Sequence, residues 1–132
     1  MKMEKTAIIG GSFDPVHNGH LMLARAARDS FGLEQVIFMP VARSPLKESV
    51  RMFDDDERIA LLEAAISGEA GMSLSRLEIE RGAPSYTIET ALALDASEEA
   101  PLHWIIGADC AATLDRWHRA DTLARMVYFY AA

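Results

Sequence analysis

The feature that most constrains the fold is a glycine-rich turn that follows a short apolar run near the start of the chain. Residues 6–9 read Thr-Ala-Ile-Ile, and residues 10–21 then read GGSFDPVHNGHL. The apolar run predicts a buried strand that ends at Gly10 and Gly11, because glycine interrupts strands and permits a sharp turn. A helix is expected to begin near Asn18, so the segment predicts a strand, a tight turn and a helix in succession.

The same turn has the properties of a phosphate-binding site. Glycine lets the backbone approach a ligand closely, and the first turn of a helix directs free N–H groups and the positive end of its dipole toward the same space. His17 would lie at the lip of the turn and His20 in the first helical turn. Both imidazoles could then donate hydrogen bonds to one phosphate and stabilise charge that develops in a transition state.

Two other interpretations of the histidines remain open from the residues alone. Short HxxH matches are common, and an ordinary turn beside two surface histidines is one alternative. A zinc site is the other, although zinc usually takes a third protein ligand and the single cysteine, Cys110, lies far away in the sequence. The spacing fits neither the GxGxxG dinucleotide pattern nor a P-loop.

Length and composition predict one soluble domain over residues 1–132. No apolar run approaches the ~20 residues of a membrane span, and no signal peptide is evident, so we expect a cytoplasmic protein without a membrane partner. The net charge of −7 argues against a general nucleic-acid-binding surface. Anionic small molecules would be bound locally, and the basic candidates beside the turn and its histidines are Arg43, Lys47, Arg51 and Arg58.

Predicted strands and helices alternate along the rest of the chain. Strands are predicted at Val36–Met39, Leu102–Ile106 and Met126–Tyr130, and helices over Gly19–Phe31, from the acidic start Asp54–Glu57, and from Thr87 as a cap to about Ala96. Met72–Leu74 and Leu77–Ile79 alternate, which predicts a kinked strand or two short strands. The alternation favours an α/β fold with a parallel sheet covered on both faces. Ligands of such sheets bind at the carboxyl ends of the strands, where the glycine turn, Pro40 and residues 107–109 fall.

The string HNGH at residues 17–20 resembles the T/HxGH signature of the nucleotidylyltransferase superfamily. The resemblance implies a Rossmann-like fold, a magnesium-bound triphosphate, and two histidines that stabilise the transition state without a covalent intermediate. Three further segments resemble the bacterial nicotinate-nucleotide adenylyltransferases, which join ATP and nicotinate mononucleotide into deamido-NAD. They are PSYT at residues 84–87, IIGAD at residues 105–109, and Trp117 followed by His118. The resemblance covers nearly all of the chain.

The resemblance implies a role for each matching residue. The catalytic pair would be His17 and His20; ATP would contact Gly10, Gly11, Ser12, Phe13, Gly107 and Asp109; and the pyridine nucleotide would contact Lys47, Thr87 and Trp117. Mg²⁺ would be held through the ATP phosphates. Lys47 could instead be a solvated surface residue and Trp117 a core residue, whereas Thr87 could cap a helix and bind the ligand at the same time. Asp109 could likewise be a helix cap.

Two features depart from the family pattern. Leu46 stands where relatives carry a histidine in a PPHK-like loop, and the ISxTxxR-type segment that helps to bind ATP phosphates in the family does not occur before Ala132. The chain is therefore either a fragment of a longer protein or a shortened homologue with an incomplete ATP site. These departures keep two alternatives open: a related adenylyl- or cytidylyltransferase for another phosphorylated substrate, or a catalytically silent nucleotide-binding module. Preference for nicotinate over nicotinamide, and assembly as a homo-oligomer, also stay open.

Overall fold

The computed structural model describes residues 6–41, 53–82, 87–94, 96, 101–107, 112, 114–117 and 119–131. Within these ranges the strands are β1 (Thr6–Gly11), β2 (Gln35–Pro40), β3 (Met72–Leu74), β4 (Leu102–Ile106) and β5 (Val127–Ala131). The helices are α1 (Asn18–Phe31), α2 (Asp55–Ile66), α3 (Leu77–Arg81), α4 (Thr87–Ala93) and α5 (Ala120–Met126), with a 3₁₀ turn at Leu114–Arg116 before α5.

The five strands form one parallel sheet in the order β3-β2-β1-β4-β5. The central strand β1 pairs on both sides, so that Ile8 lies opposite Ile37 of β2 and Trp104 of β4. From β1 the chain moves outward to β2 and β3, and then crosses to β4 and β5 on the other side. This strand order is Rossmann-like and confirms the predicted fold class, and it opens a crevice between the carboxyl ends of β1 and β4.

The sheet is covered on both faces, as its apolar central strand requires. Ala7 and Ile9 point to one face, where α1 and α2 pack, and Ile8 points to the other, where α4 and α5 pack. Phe38 belongs to the first of these cores and Trp104 to the second, and both of these side chains are buried. Within the described ranges, none of the helices combines the length and the apolar character that crossing a membrane requires.

The prediction of a second strand at Leu77–Ile79 is wrong, because these residues begin α3. Ser75 ends β3 by donating its N–H to Phe38 O, and its Oγ then accepts from Leu77 N–H at 3.3 Å. An alternation of apolar and polar residues over so short a segment does not distinguish a strand from one helical turn. The residue that becomes buried in α3 is the charged Glu78.

The other predicted elements are confirmed with small shifts of their ends. Helix α1 begins at Asn18 with His17 as its N-cap, and Asp54 caps α2 through a 2.8 Å bond from Glu57 N–H to its Oδ1. Thr87 is the first residue of α4 instead of its cap. Strand β5 begins at Val127. The helix that precedes it, α5, was not predicted from the sequence.

We predict that Gly71→Ala destabilises the fold by at least about 2 kcal/mol. Gly71 has a φ of +74°, and an added Cβ would lie 2.5 Å from the backbone oxygen of Glu34. The left-handed conformation alone costs an alanine roughly 1–2 kcal/mol. Gly68→Ala is the matched control, since nothing lies within 4 Å of its Cβ position, and its effect should stay within about 0.5 kcal/mol. Urea unfolding of both variants measures this difference. Equal midpoints would contradict the requirement for glycine at position 71.

Candidate functional site

A cavity of about 420 Å³ lies at the crevice between the carboxyl ends of β1 and β4. Six of the residues that the sequence analysis selected line it together: Gly10, Gly11, His20, Thr87, Gly107 and Trp117. They come from β1 and α1, which precede the crossover from β3 to β4, from α4, which lies within it, and from the segments that follow β4. The fold therefore gathers residues that are more than 100 positions apart in the sequence.

The first turn of α1 is held by a pair of reciprocal hydrogen bonds between histidine rings and the backbone. Gly19 N–H donates to Nδ1 of His17 at 3.0 Å, and His17 N–H donates to Nδ1 of His20 at 3.0 Å. The two rings stack with their centroids 3.8 Å apart. This is a capping box in which imidazoles take the positions usually occupied by Ser or Thr and by Glu or Gln.

The capping bonds determine which ring nitrogen carries the proton. Because both Nδ1 atoms accept hydrogen bonds, the proton of each neutral ring is assigned to Nε2, and this nitrogen remains a donor. Burial, and secondarily the charge of a protonated His17, lower the pKa of His20 below its usual value of 6.5. His20 is therefore a neutral Nε2–H donor at pH 7, and it lines the cavity. Such a donor suits a phosphate oxygen.

Two further turn residues, Ser12 and Phe13, link the first turn of α1 to the rest of the fold. Phe13 is buried, adopts a positive φ of 47°, and packs the edge of its ring against His20 with centroids 4.9 Å apart. Ser12 is exposed, and its carbonyl accepts a hydrogen bond from Arg58. Phe13 thus contacts His20 from the core side, and its ring reaches Phe38 of β2 as well.

Gly10 has a packing role that the sequence analysis missed. A Cβ on Gly10 would lie 2.8 Å from Cζ2 of Trp104, so glycine allows the indole ring to lie directly against β1. Trp104 is 4% exposed and lines the cavity. The sequence shows Trp104 only as an apolar residue in a strand. It does not indicate the contact with Gly10, because this contact depends on the pairing of β1 with β4.

A buried carboxyl group, Glu78, also lines the cavity and was not predicted. Thr90 Oγ1 donates to Glu78 Oε2 at 2.6 Å, and Arg81 Nη2 donates to Thr90 Oγ1 at 2.7 Å. Burial raises the pKa of Glu78, and the Thr90 hydrogen bond and the Arg81 charge partly oppose this rise. The network joins α3 to α4 and so fixes the side of the cavity that carries Thr87.

Trp117 lies on the same side of the sheet as Thr87. Its ring packs at 88° against Phe129 of β5, with centroids 5.7 Å apart, and it also lines the cavity. The side chain is only partly buried. The core interpretation and the ligand-binding interpretation of Trp117 are therefore compatible, because one ring borders both environments.

Several predicted residues lie outside the described part of the chain. They are Lys47, Asp109, Arg43 and Arg51. Arg58, the remaining basic candidate, is buried and bonded to backbone carbonyls instead of facing the cavity. Among the described residues, no group of three histidine, cysteine or acidic side chains is arranged to hold a metal ion.

The match of this chain to a known family agrees with the site geometry. Residues 8–132 match the family model described as cytidylyltransferase-like. The chain belongs to the cytidylyltransferase-like family. The crevice between β1 and β4 is thus the candidate nucleotide site of a cytidylyltransferase-like domain. His20 lines it, whereas Ser12, Phe13 and His17 are not among its lining residues.

Individual members of the family add detail. A relative from Gloeobacter violaceus, named "Probable nicotinate-nucleotide adenylyltransferase", is 43% identical over 121 residues, which cover 91% of this chain and 59% of the relative. One of the same name from Herpetosiphon aurantiacus is 40% identical, covering 96% of this chain and 64% of the relative. The chain thus spans about 60% of the length of these curated relatives. Their names confirm the resemblance noted from the motifs.

A solved structure supports the fold. The Plasmodium falciparum nicotinic acid mononucleotide adenylyltransferase complexed with NaAD superposes with a TM-score of 0.71 at 14% identity, covering 98% of this chain and 76% of that chain. The similarity extends the fold assignment across nearly the whole chain of this cytidylyltransferase-like protein.

We predict that Gly19→Ala destabilises the protein by about 0.5–2 kcal/mol, the usual cost of a lost N-cap. An added Cβ would lie 2.8 Å from Cε1 and 2.9 Å from Nδ1 of His17, so the ring would have to leave its capping position. In a His17→Ala background the same change should become stabilising, because alanine is the better helix former and the ring is gone. A double-mutant cycle by urea unfolding measures this. Equal effects of Gly19→Ala in both backgrounds would contradict the capping role of His17.

Proposed function

We propose that this protein transfers AMP from ATP to nicotinate mononucleotide, giving deamido-NAD and pyrophosphate. The 5′-phosphate of nicotinate mononucleotide would attack the α-phosphorus of ATP in line, the new P–O bond would form as the bond to pyrophosphate breaks, and pyrophosphate would leave with the electron pair. The observation that carries the proposal is that His20 and the glycine turn line the same cavity as Thr87 and Trp117. The names of the curated relatives agree with this substrate pair.

The work of such a site is positioning and electrostatic stabilisation. His20 would donate from Nε2 to an oxygen of the α-phosphate, and His17, stacked on it, would donate to the same phosphate region. Gly11 would let the phosphates approach the backbone closely, whereas the space beside Gly10 is occupied by the Trp104 ring. Because both rings would donate hydrogen bonds instead of attacking the phosphorus, the oxyanion would be stabilised without a covalent intermediate.

The opposite side of the cavity would select the pyridine nucleotide. Trp117 would stack on the flat pyridine ring, and Thr87 would contact the nicotinate from the start of α4. Gly107, with Asp109, would hold the adenosine, and Lys47 would bind a phosphate. Mg²⁺ would be held mainly by the ATP phosphates, because triphosphate oxygens and water satisfy its preference for oxygen ligands. Cytoplasmic location and a single domain stay predictions, and the oligomeric state stays open.

Pyrophosphate release from ATP and Mg²⁺ with a panel of acceptors tests the proposal. Nicotinate mononucleotide, nicotinamide mononucleotide and phosphopantetheine are compared, and release is expected to be fastest with the first. Release with phosphopantetheine alone would overturn the substrate assignment in favour of a related transferase. Nucleotide binding without release from any acceptor would overturn the proposal in favour of a silent binding module.

His20→Ala should lower kcat by about 100- to 1000-fold, the usual effect of removing one transition-state donor. His103→Ala is the matched control: His103 lies on β4, its Nδ1 is 2.6 Å from Tyr130 Oη, and it does not line the cavity. It should keep near-normal turnover. Circular dichroism checks that both variants are folded, and a folded, fully active His20→Ala protein would contradict the assignment.

A further inference from the structure

Arg58 is a buried arginine whose role is not explained by substrate binding. Its side chain is 3% exposed, although it belongs to the first turns of α2, a helix that starts with acidic surface residues. Arginine is seldom buried so completely unless its donors have specific acceptors. The identity of those acceptors therefore indicates what Arg58 does.

The guanidinium group binds the backbone at the carboxyl ends of two neighbouring strands. Nη1 donates to the carbonyl of Ser12, just after β1, and Nη2 donates to the carbonyl of Val41, just after β2, at 2.9 Å. Nη2 also pairs with Asp55 Oδ1 at 2.5 Å, so the charge is balanced within α2. Val41 N–H in turn donates to Gly11 O at 2.9 Å, which completes a closed set of links around the turn.

A second link ties the same turn to the residues before α2. Phe53 N–H donates to Asp14 Oδ1 at 2.9 Å. The turn is thus held on both sides of Phe13, the residue that adopts the left-handed φ of 47°. A bulky side chain is strained in that conformation and keeps it only when the surroundings hold it there.

Phe13 connects these links to the candidate catalytic pair. Its ring contacts His20 edge-on, and His20 in turn stacks on His17. A change in the position of Ser12 would therefore reach both imidazoles through one packed side chain. An arginine is suited to this task, because its planar group can bind two carbonyls at once, whereas a lysine ammonium is a compact point charge.

We propose that Arg58 is a positioning residue that holds the Ser12–Asp14 turn so that Phe13 fixes the orientation of His20. The functional part of this inference rests on the proposed adenylyl transfer. Arg58 is buried and is not among the residues that line the cavity. Its removal should therefore affect the geometry of the histidines and the rate of the chemical step more than the binding of substrates.

Arg58→Lys tests the proposal, with Arg28→Lys as the matched control. Arg28 also donates from Nη1 to a backbone carbonyl, that of Ala70, at 2.9 Å, but it lies near the C-terminal end of α1, away from the turn. Arg58→Lys should lower kcat by about 10- to 100-fold, as misplaced catalytic groups do, with less than threefold change in KM. Arg28→Lys should change neither constant. Equal kcat values for the two variants would overturn the proposal.

Histidine ring NMR spectra separate this proposal from the proposed activity. The ring resonances of His20 should move in Arg58→Lys and stay in place in Arg28→Lys, whether or not the protein transfers AMP. Unmoved His20 resonances in folded Arg58→Lys would overturn the positioning role even if the enzyme is active. Absence of transfer in the unmodified protein, with the resonances moving as expected, would reject the proposed activity alone.

Asp55→Asn provides a second variant if Arg58→Lys does not fold. Asp55 is partly exposed, and its replacement weakens the ion pair that holds the guanidinium against the Ser12 and Val41 carbonyls. The same His20 resonances should move by a smaller amount. If they do not move in this variant, the proposal is overturned.

Discussion

Two hydrogen bonds, from Gly19 N–H to the His17 ring and from His17 N–H to the His20 ring, are the interaction on which the site depends. They end the turn, start α1, and leave the Nε2 atoms as the free ring nitrogens. A serine and a glutamate could cap the helix equally well, but they would not place a ring N–H donor at the cavity, as His20 does. The same bonds that stabilise the helix terminus thus set the chemistry of the site.

The sheet brings this helix terminus to a useful place. The chain crosses from β3 to β4 around the central strand, so the carboxyl ends of β1 and β4 border an open crevice with His20 on one side. Gly10 lets Trp104 lie against β1, and the Glu78 network holds α3 and α4 together on the opposite side. Each of these contacts fixes backbone near the cavity. The site is therefore supported mainly by packing and by buried hydrogen bonds.

Sequence patterns predicted the parts of this arrangement that are local. Apolar runs ended by glycine or proline gave β1, β2 and β4, and Asp54 marked the start of α2, because strand burial and helix capping are encoded within a few residues. The histidines were selected as donors, but their capping role was not foreseen, since it depends on side-chain rotamers. Glu78 was not selected, and Arg58 was selected as an anion-binding residue and not as a buried one. Their burial follows from how α2, α3 and α4 pack, which no short window of sequence contains.

Long-range ¹H–¹⁵N spectra of the histidine rings, recorded at pH 7 before and after addition of ATP with Mg²⁺, show whether the capping bonds set the tautomers of a nucleotide-binding pair. We expect Nδ1 of His17 and His20 to be unprotonated, Nε2 to carry the proton, and ATP to perturb the Nε2 resonances of this pair while leaving those of His103 unchanged. A proton on Nδ1 of either ring, or an ATP response at His103 without one at His20, would disprove this link between helix capping and the site.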